Sequence, residues 1–138
     1  MSSIALSHFI YCSLLSADAA PTCVADIIRT SRPANAERHI TGVLVFDGER
    51  FCQYIEGPAE RVAELAERIG KDTRHTDFTP LHHAPLLDRR RFQDWSMAYA
   101  LAPDVEPLER MHRMRGLPAV ELLDRLIPDF DLGPAVAA

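Results

Sequence analysis

Tyr11, Asn35 and Gln53 are the side chains of this chain best suited to act together. A phenol and two carboxamides donate and accept hydrogen bonds without carrying charge at neutral pH. Gln53 lies in the run Phe51-Cys52-Gln53-Tyr54-Ile55-Glu56-Gly57. Alternation there puts Phe51, Gln53 and Ile55 on one face of a strand and Cys52, Tyr54 and Glu56 on the other. An amide between two large apolar neighbours points into a core, where it is costly unless its donors and acceptors are all met. A flat apolar slot with a few convergent polar groups suits a planar heteroaromatic ligand. Each residue also has a purely structural reading: Gln53 as a satisfied core amide, Tyr11 as a strand anchor, Asn35 as a turn or helix C-cap. Spacing alone leaves both readings open.

The elements that must position these groups follow from hydrophobic period and turn chemistry. Residues 4–13 read as a first strand, with Ile4, Leu6 and Ile10 on one face and Phe9 and Tyr11 on the other. Val24, Ile27 and Ile28 predict a helix over 20–32 that stops near Pro33, followed by a loop through Asn35. Residues 40–46 form a strand buried on both faces, and Asp47-Gly48 turns the chain back into the strand of Gln53. Val62, Leu65, Ala66 and Ile69 make one stripe of a second helix, with Glu60, Glu64, Glu67 and Lys71 in water. Residues 75–86 read as a further strand, at an edge or bulged because of Pro80. A last strand falls within 91–99, with Trp95, Met97 and Tyr99 to one side.

This order predicts an α+β, ferredoxin-like βαββαββ sandwich, a mixed sheet with two helices on one face. The first and third strands are expected parallel at its centre, with Tyr11 near the end of the first and Ile27 and Ile69 as slot walls. Helical patterns at 107–114 and 117–127 predict a hairpin capping the other face, and 128–138 read as frayed. The division is thus a domain over 1–100 and a helical extension over 101–138.

The 138 residues, 25% charged and 47% hydrophobic, describe one globular domain. A net charge of −5 argues against nucleic acid or an anionic membrane as the partner. Arg89-Arg90-Arg91 is too short to reverse that and reads as a solvated turn. No stretch approaches the roughly 18 apolar residues of a span, so a cytoplasmic location is expected. Cys12, Cys23 and Cys52 show no paired spacing, and His82 and His83 point to opposite faces of a strand. Neither a disulfide framework nor a metal site is suggested. No nucleophile–base pair is legible either: His39 and His75 have no identifiable partner in the sequence.

Taken in order, the motifs are similar to those of the BLUF family, short blue-light sensors using flavin adenine dinucleotide. The resemblance covers about residues 4–100. It runs through Tyr11 and Ser13, Ser31 to Asn35, Ile40-Thr41-Gly42, the Phe51–Gly57 run, Ile69 to His75 and Arg91-Phe92-Gln93-Asp94-Trp95-Ser96-Met97. It implies a noncovalent FAD between the two helices, with FMN or riboflavin as smaller alternatives. Tyr11, Asn35 and Gln53 take the signature positions, Ile27 and Ile69 pack on the ring, and Leu44 and Phe51 match wall positions. Ser31, Arg74 and His75 match further cofactor contacts, and Trp95 and Met97 the signal-transmitting pair. The implied function is a photoreceptor, not an enzyme: light-driven electron and proton transfer from Tyr11 through Gln53, read by a downstream protein partner through the fifth strand. Self-association as a homodimer is a further expectation, and a small flavin-dependent enzyme on the same fold is the alternative.

Overall fold

The computed structural model describes residues 5–87, 89–93 and 95–132. Its strands are β1 (Leu6–Leu15), β2 (Thr41–Phe46), β3 (Arg50–Pro58), β4 (His75–Pro85), β5 (Ala98–Leu101) and β6 (Asp131–Leu132). They form one sheet in the order β4-β1-β3-β2-β5-β6. Helices α1 (Cys23–Glu37) and α2 (Ala59–Gly70) cover one face, and α3 (Glu106–His112) and α4 (Leu117–Leu126) the other. The expected sandwich and its helical cap are both present. One relation differs: β1 and β3 are antiparallel, with Tyr11 opposite Gln53 near mid-strand. The crossover through α1 makes β2 run with β1, and the β2–β3 hairpin then reverses the chain. β2 and β5 are the parallel pair that makes the sheet mixed.

Strand alternation divides the interior into two cores. Phe9, Tyr11, Leu44, Phe51, Ile55 and Met97 face α1 and α2, where Val24, Ile28 and Val62 meet them. Ile10, Cys12, Val43, Cys52 and Tyr54 face the hairpin, packing against Leu108, Met111, Val120 and Leu123. Those four hairpin side chains are at most 1% exposed. Burial of each contributes about 1.5–3 kcal/mol, a sum comparable with the whole net stability of a domain. The tail therefore folds as part of the sheet's back face.

Three boundaries differ from expectation. α1 continues through Pro33 to Glu37, because Pro33 sits on the exposed side while Asn35 beyond it is buried. The amides of Arg38 and Ile40 close the end on the Asn35 carbonyl, and His39, with φ 60°, takes the left-handed conformation that stops the helix. β5 covers only Ala98–Leu101, since the carbonyls of Ser96 and Met97 just before it are taken by the Asn35 and Arg32 side chains rather than by a ladder. The chain after 127 is not simply frayed: a 3-10 turn (Ile127–Asp129) leads to β6, which pairs with β5, and Phe130 is buried. Ile4, Asp94 and residues 133–138 lie outside the described residues.

The Asp47-Gly48 turn and the irregular edge strand at Pro80 are as expected. Asp47 Oδ1 accepts the amides of Glu49 and Arg50 to form the hairpin turn, and β4 is an edge strand with a register shift at Pro80. His82 meets His8 while His83 meets Phe9, and among the described residues no group of three metal-ligating side chains converges. No described helix is long and apolar enough to cross a membrane.

His8 gives the fold a pH dependence. It is buried beside the Tyr54 hydroxyl (3.1 Å), and burial, followed by the charges of His82, Arg91 and His83, lowers its pKa to about 4. The unfolded chain then binds this proton first, so the stability conferred by neutral His8 is complete above about pH 6.5 and is lost as pH falls toward 4. The urea midpoint of the native protein should fall more between pH 6.5 and 4 than that of His8→Gln. Parallel pH profiles would refute this.

Candidate functional site

Tyr11 and Gln53 are cross-strand neighbours on the face under α1 and α2. The Tyr11 hydroxyl donates to Gln53 Oε1 at 2.6 Å, and Gln53 Nε2 donates to Met97 Sδ at 3.5 Å. Burial, aided by Cys52, Cys12 and Asp72, raises the Tyr11 pKa far above that of a free phenol. Tyr11 is therefore a neutral donor, fixed against Phe78 and His75 (ring centroids 4.9 and 5.9 Å).

This pair forms part of the wall of a cavity of about 520 Å³ between the two helices and the sheet. The strands contribute Tyr11, Leu44, Phe51 and Gln53, α1 contributes Ile27, Ser31 and Asn35, and Ile69, Arg74 and His75 close the α2 side. All ten residues expected to contact a cofactor thus line one space, of a size suited to a drug-sized ligand. Asn35, expected in a loop, projects instead from the last turn of α1, buried, with its Nδ2 donating to the Ser96 carbonyl at 2.9 Å.

Sequence reasoning missed Thr30, Ala34 and Arg38 on one side and Leu65, Arg68, Lys71 and Asp72 on the other. Helical spacing held part of the signal: 27, 30, 31 and 34 share one side of α1, as 65, 68 and 69 share one side of α2. The lining includes the cations Arg38, Arg68, Lys71 and Arg74 and a single carboxylate. That carboxylate, Asp72, is bonded by Arg74 at 2.6 Å, which lowers its pKa and raises that of the guanidinium. The cavity is electropositive.

Ser13 and His75 do form a hydroxyl–imidazole pair that the sequence did not reveal, at 2.8 Å. His75 Nε2 lies 2.7 Å from the Ile69 carbonyl, which places the proton on Nε2 and leaves Nδ1 to accept from Ser13. Ser13 is fully buried and does not line the cavity, so the pair orients His75 and offers no accessible nucleophile.

Trp95 and Met97 do not share a side. Met97 is fully buried on the cavity side, while Trp95 stacks on Phe92 (5.6 Å) against the hairpin-side core. The chain is not extended between them. Trp95 O accepts from the Gly42 amide, Ser96 O from Asn35 and Met97 O from Arg32 Nε, each at 2.9 Å. Gly42 itself lies so close to β3 that a Cβ there would collide with the Tyr54 carbonyl oxygen. Arg89-Arg90-Arg91 is likewise more than a solvated turn: Arg90 is half-buried and donates to Thr41 Oγ1 at 3.0 Å.

A family model described as sensors of blue light using FAD matches residues 6–98. The β subunit of the photoactivated adenylate cyclase of Euglena gracilis is 42% identical over 74 residues, 54% of this chain. The matched segment is only 9% of that relative's length. Among solved structures, the dark state of BlrB, a BLUF protein, aligns with a TM-score of 0.76 at 32% identity, covering 91% of this chain and 97% of that one. The ground state of BlsA shares the fold with a TM-score of 0.78 at 22% identity, covering 96% of this chain and 94% of that one.

Proposed function

The chain belongs to the BLUF family, sensors of blue light using FAD, and on that premise we propose that its cavity holds FAD and that Tyr11 and Gln53 convert absorbed light into a rearranged hydrogen-bond network. The observation that carries this reading is the 2.6 Å contact from the Tyr11 hydroxyl to Gln53 Oε1 in the cavity wall. Ile27 and Ile69 supply apolar faces for a flat ring system, and Leu44 and Phe51 its far wall. Asn35, whose Nδ2 is committed to Ser96, has its Oδ1 left to accept from the ring's polar edge. Ser31 and His75 complete the lining. Arg74, with Arg38, Arg68 and Lys71, favours a phosphate-bearing flavin over riboflavin.

A bound flavin supplies a strong one-electron oxidant when it absorbs blue light. Tyr11 would give the electron, and its proton would follow the existing bond to Gln53 Oε1, because an oxidised phenol is a strong acid. The raised pKa of Tyr11 keeps that proton in place until the electron leaves. On return of the electron Tyr11 would regain a proton from Gln53, leaving the amide rotated or tautomerised with its donor withdrawn from Met97 Sδ. Such an exchange alters about 1–3 kcal/mol of interaction, enough to bias a two-state element. Met97 and Trp95, two residues apart on opposite sides of the sheet, carry the change to the hairpin face and to a protein partner.

No substrate is consumed in this cycle, and the Ser13 hydroxyl paired with His75 is buried outside the cavity, so it gives an enzyme reading no accessible nucleophile. Absorbance of the purified protein before and after blue light, with chromatography of the released chromophore, tests the proposal. A flavin spectrum that shifts reversibly to the red, and FAD on release, are expected. Colourless protein would refute the cofactor, a yellow protein without a shift would favour the enzyme, and riboflavin alone would refute the phosphate reading.

A further inference from the structure

Glu56 is the fully buried carboxylate of β3, on the face turned away from the cavity. Its Oε1 accepts from the Tyr54 hydroxyl (3.0 Å) and the Arg91 amide (2.8 Å). Its Oε2 accepts from the Thr41 hydroxyl (3.0 Å) and the Phe92 amide (2.7 Å). Arg90 closes the ring, bonding both Thr41 Oγ1 and the Glu56 carbonyl. Two backbone amides of the segment before β5 are thereby fixed to the strand that carries Gln53. Phe92, held in this way, stacks on Trp95, and five residues further on Met97 receives the Gln53 amide.

We propose that Glu56 is a positioning residue of the photocycle: it clamps the segment leading into β5 so that Met97 meets Gln53 on one face while Trp95 stays docked on the other. The proposal rests on the light-sensing reading above. A carboxylate suits the task because it accepts at both oxygens and donates at neither. With an amide at the site, either orientation sets an NH2 against an N–H, since Arg91 bonds one oxygen and Phe92 the other. Glu56→Gln therefore keeps the volume and opens the clamp. Thr41→Val removes one hydroxyl shared by Glu56 and Arg90 and loosens it to a smaller degree.

The chain's single tryptophan reports directly on the segment. In darkness, quenching of Trp95 fluorescence by acrylamide should rise in Glu56→Gln and, less strongly, in Thr41→Val. After illumination both should still show the flavin shift, with dark recovery slowed about threefold or more in Glu56→Gln, because the returning amide no longer finds Met97 in place. Thermal stability alone would also drop if Glu56 merely held the fold, so the melting temperature does not decide. Native-like quenching and recovery in whichever variants fold would overturn the proposal, as would quenching that rises with recovery unchanged. Wild-type protein that shows no light response would overturn the photoreceptor reading instead.

Discussion

Tyr11→Phe protein should remain yellow and lose its light-induced red shift entirely. The substitution keeps the ring that packs on Phe9, Phe78 and His75 and deletes only the hydroxyl. Gln53 Oε1 then loses its 2.6 Å donor, a loss of about 1–3 kcal/mol for a buried acceptor left unmet. That is tolerable for the fold, so flavin should stay bound. Electron transfer loses its donor and the amide its proton source at the same position. Difference absorbance under continuous blue light measures the outcome. A shift of native size would assign electron donation to another residue.

Gln53→Leu should give the second large effect: bound flavin, intact fold, no stable red shift. Leucine matches the apolar surroundings of Phe51 and Ile55 but can neither accept from Tyr11 nor donate to Met97. Tyr11 then lacks a proton acceptor, and its burial makes electron loss without proton loss unfavourable. Transient absorption separates the two variants. Tyr11→Phe should show no tyrosine oxidation, whereas Gln53→Leu should show only unproductive, rapidly reversed quenching. A persistent red shift in Gln53→Leu would move the switch away from this amide.

Much of the site was legible because a strand writes its two faces at alternate positions. Phe51, Gln53 and Ile55 against Cys52, Tyr54 and Glu56 could be sorted without coordinates, and the sheet keeps that sorting. Local breaker rules were less dependable. Pro33 costs a helix one hydrogen bond, but the buried Asn35 and the bonds around His39 keep the next turn helical. The alternation of Trp95, Met97 and Tyr99 looked like a strand, yet this segment is held by Asn35, Arg32 and Gly42, groups far away in the chain. Glu56 did leave a sign: a carboxylate at a core-facing position of an apolar strand needs several donors. Two of its four donors, the Arg91 and Phe92 amides, lie 35 and 36 residues away, beyond the reach of any local pattern.

The thiols of Cys12 and Cys52 stand opposite one another in the β1–β3 pairing, immediately beside Tyr11 and Gln53 in sequence and on the reverse face. Both thiols are free, and hydrogen bonding with Cys12, together with burial, pushes the Cys52 thiol well above its usual range, so it keeps its proton. The stretching vibration of an S–H group falls in an infrared window that other protein groups leave clear. The molecule therefore contains a native vibrational gauge one backbone layer behind its photochemistry, able to register strain crossing the sheet without any label.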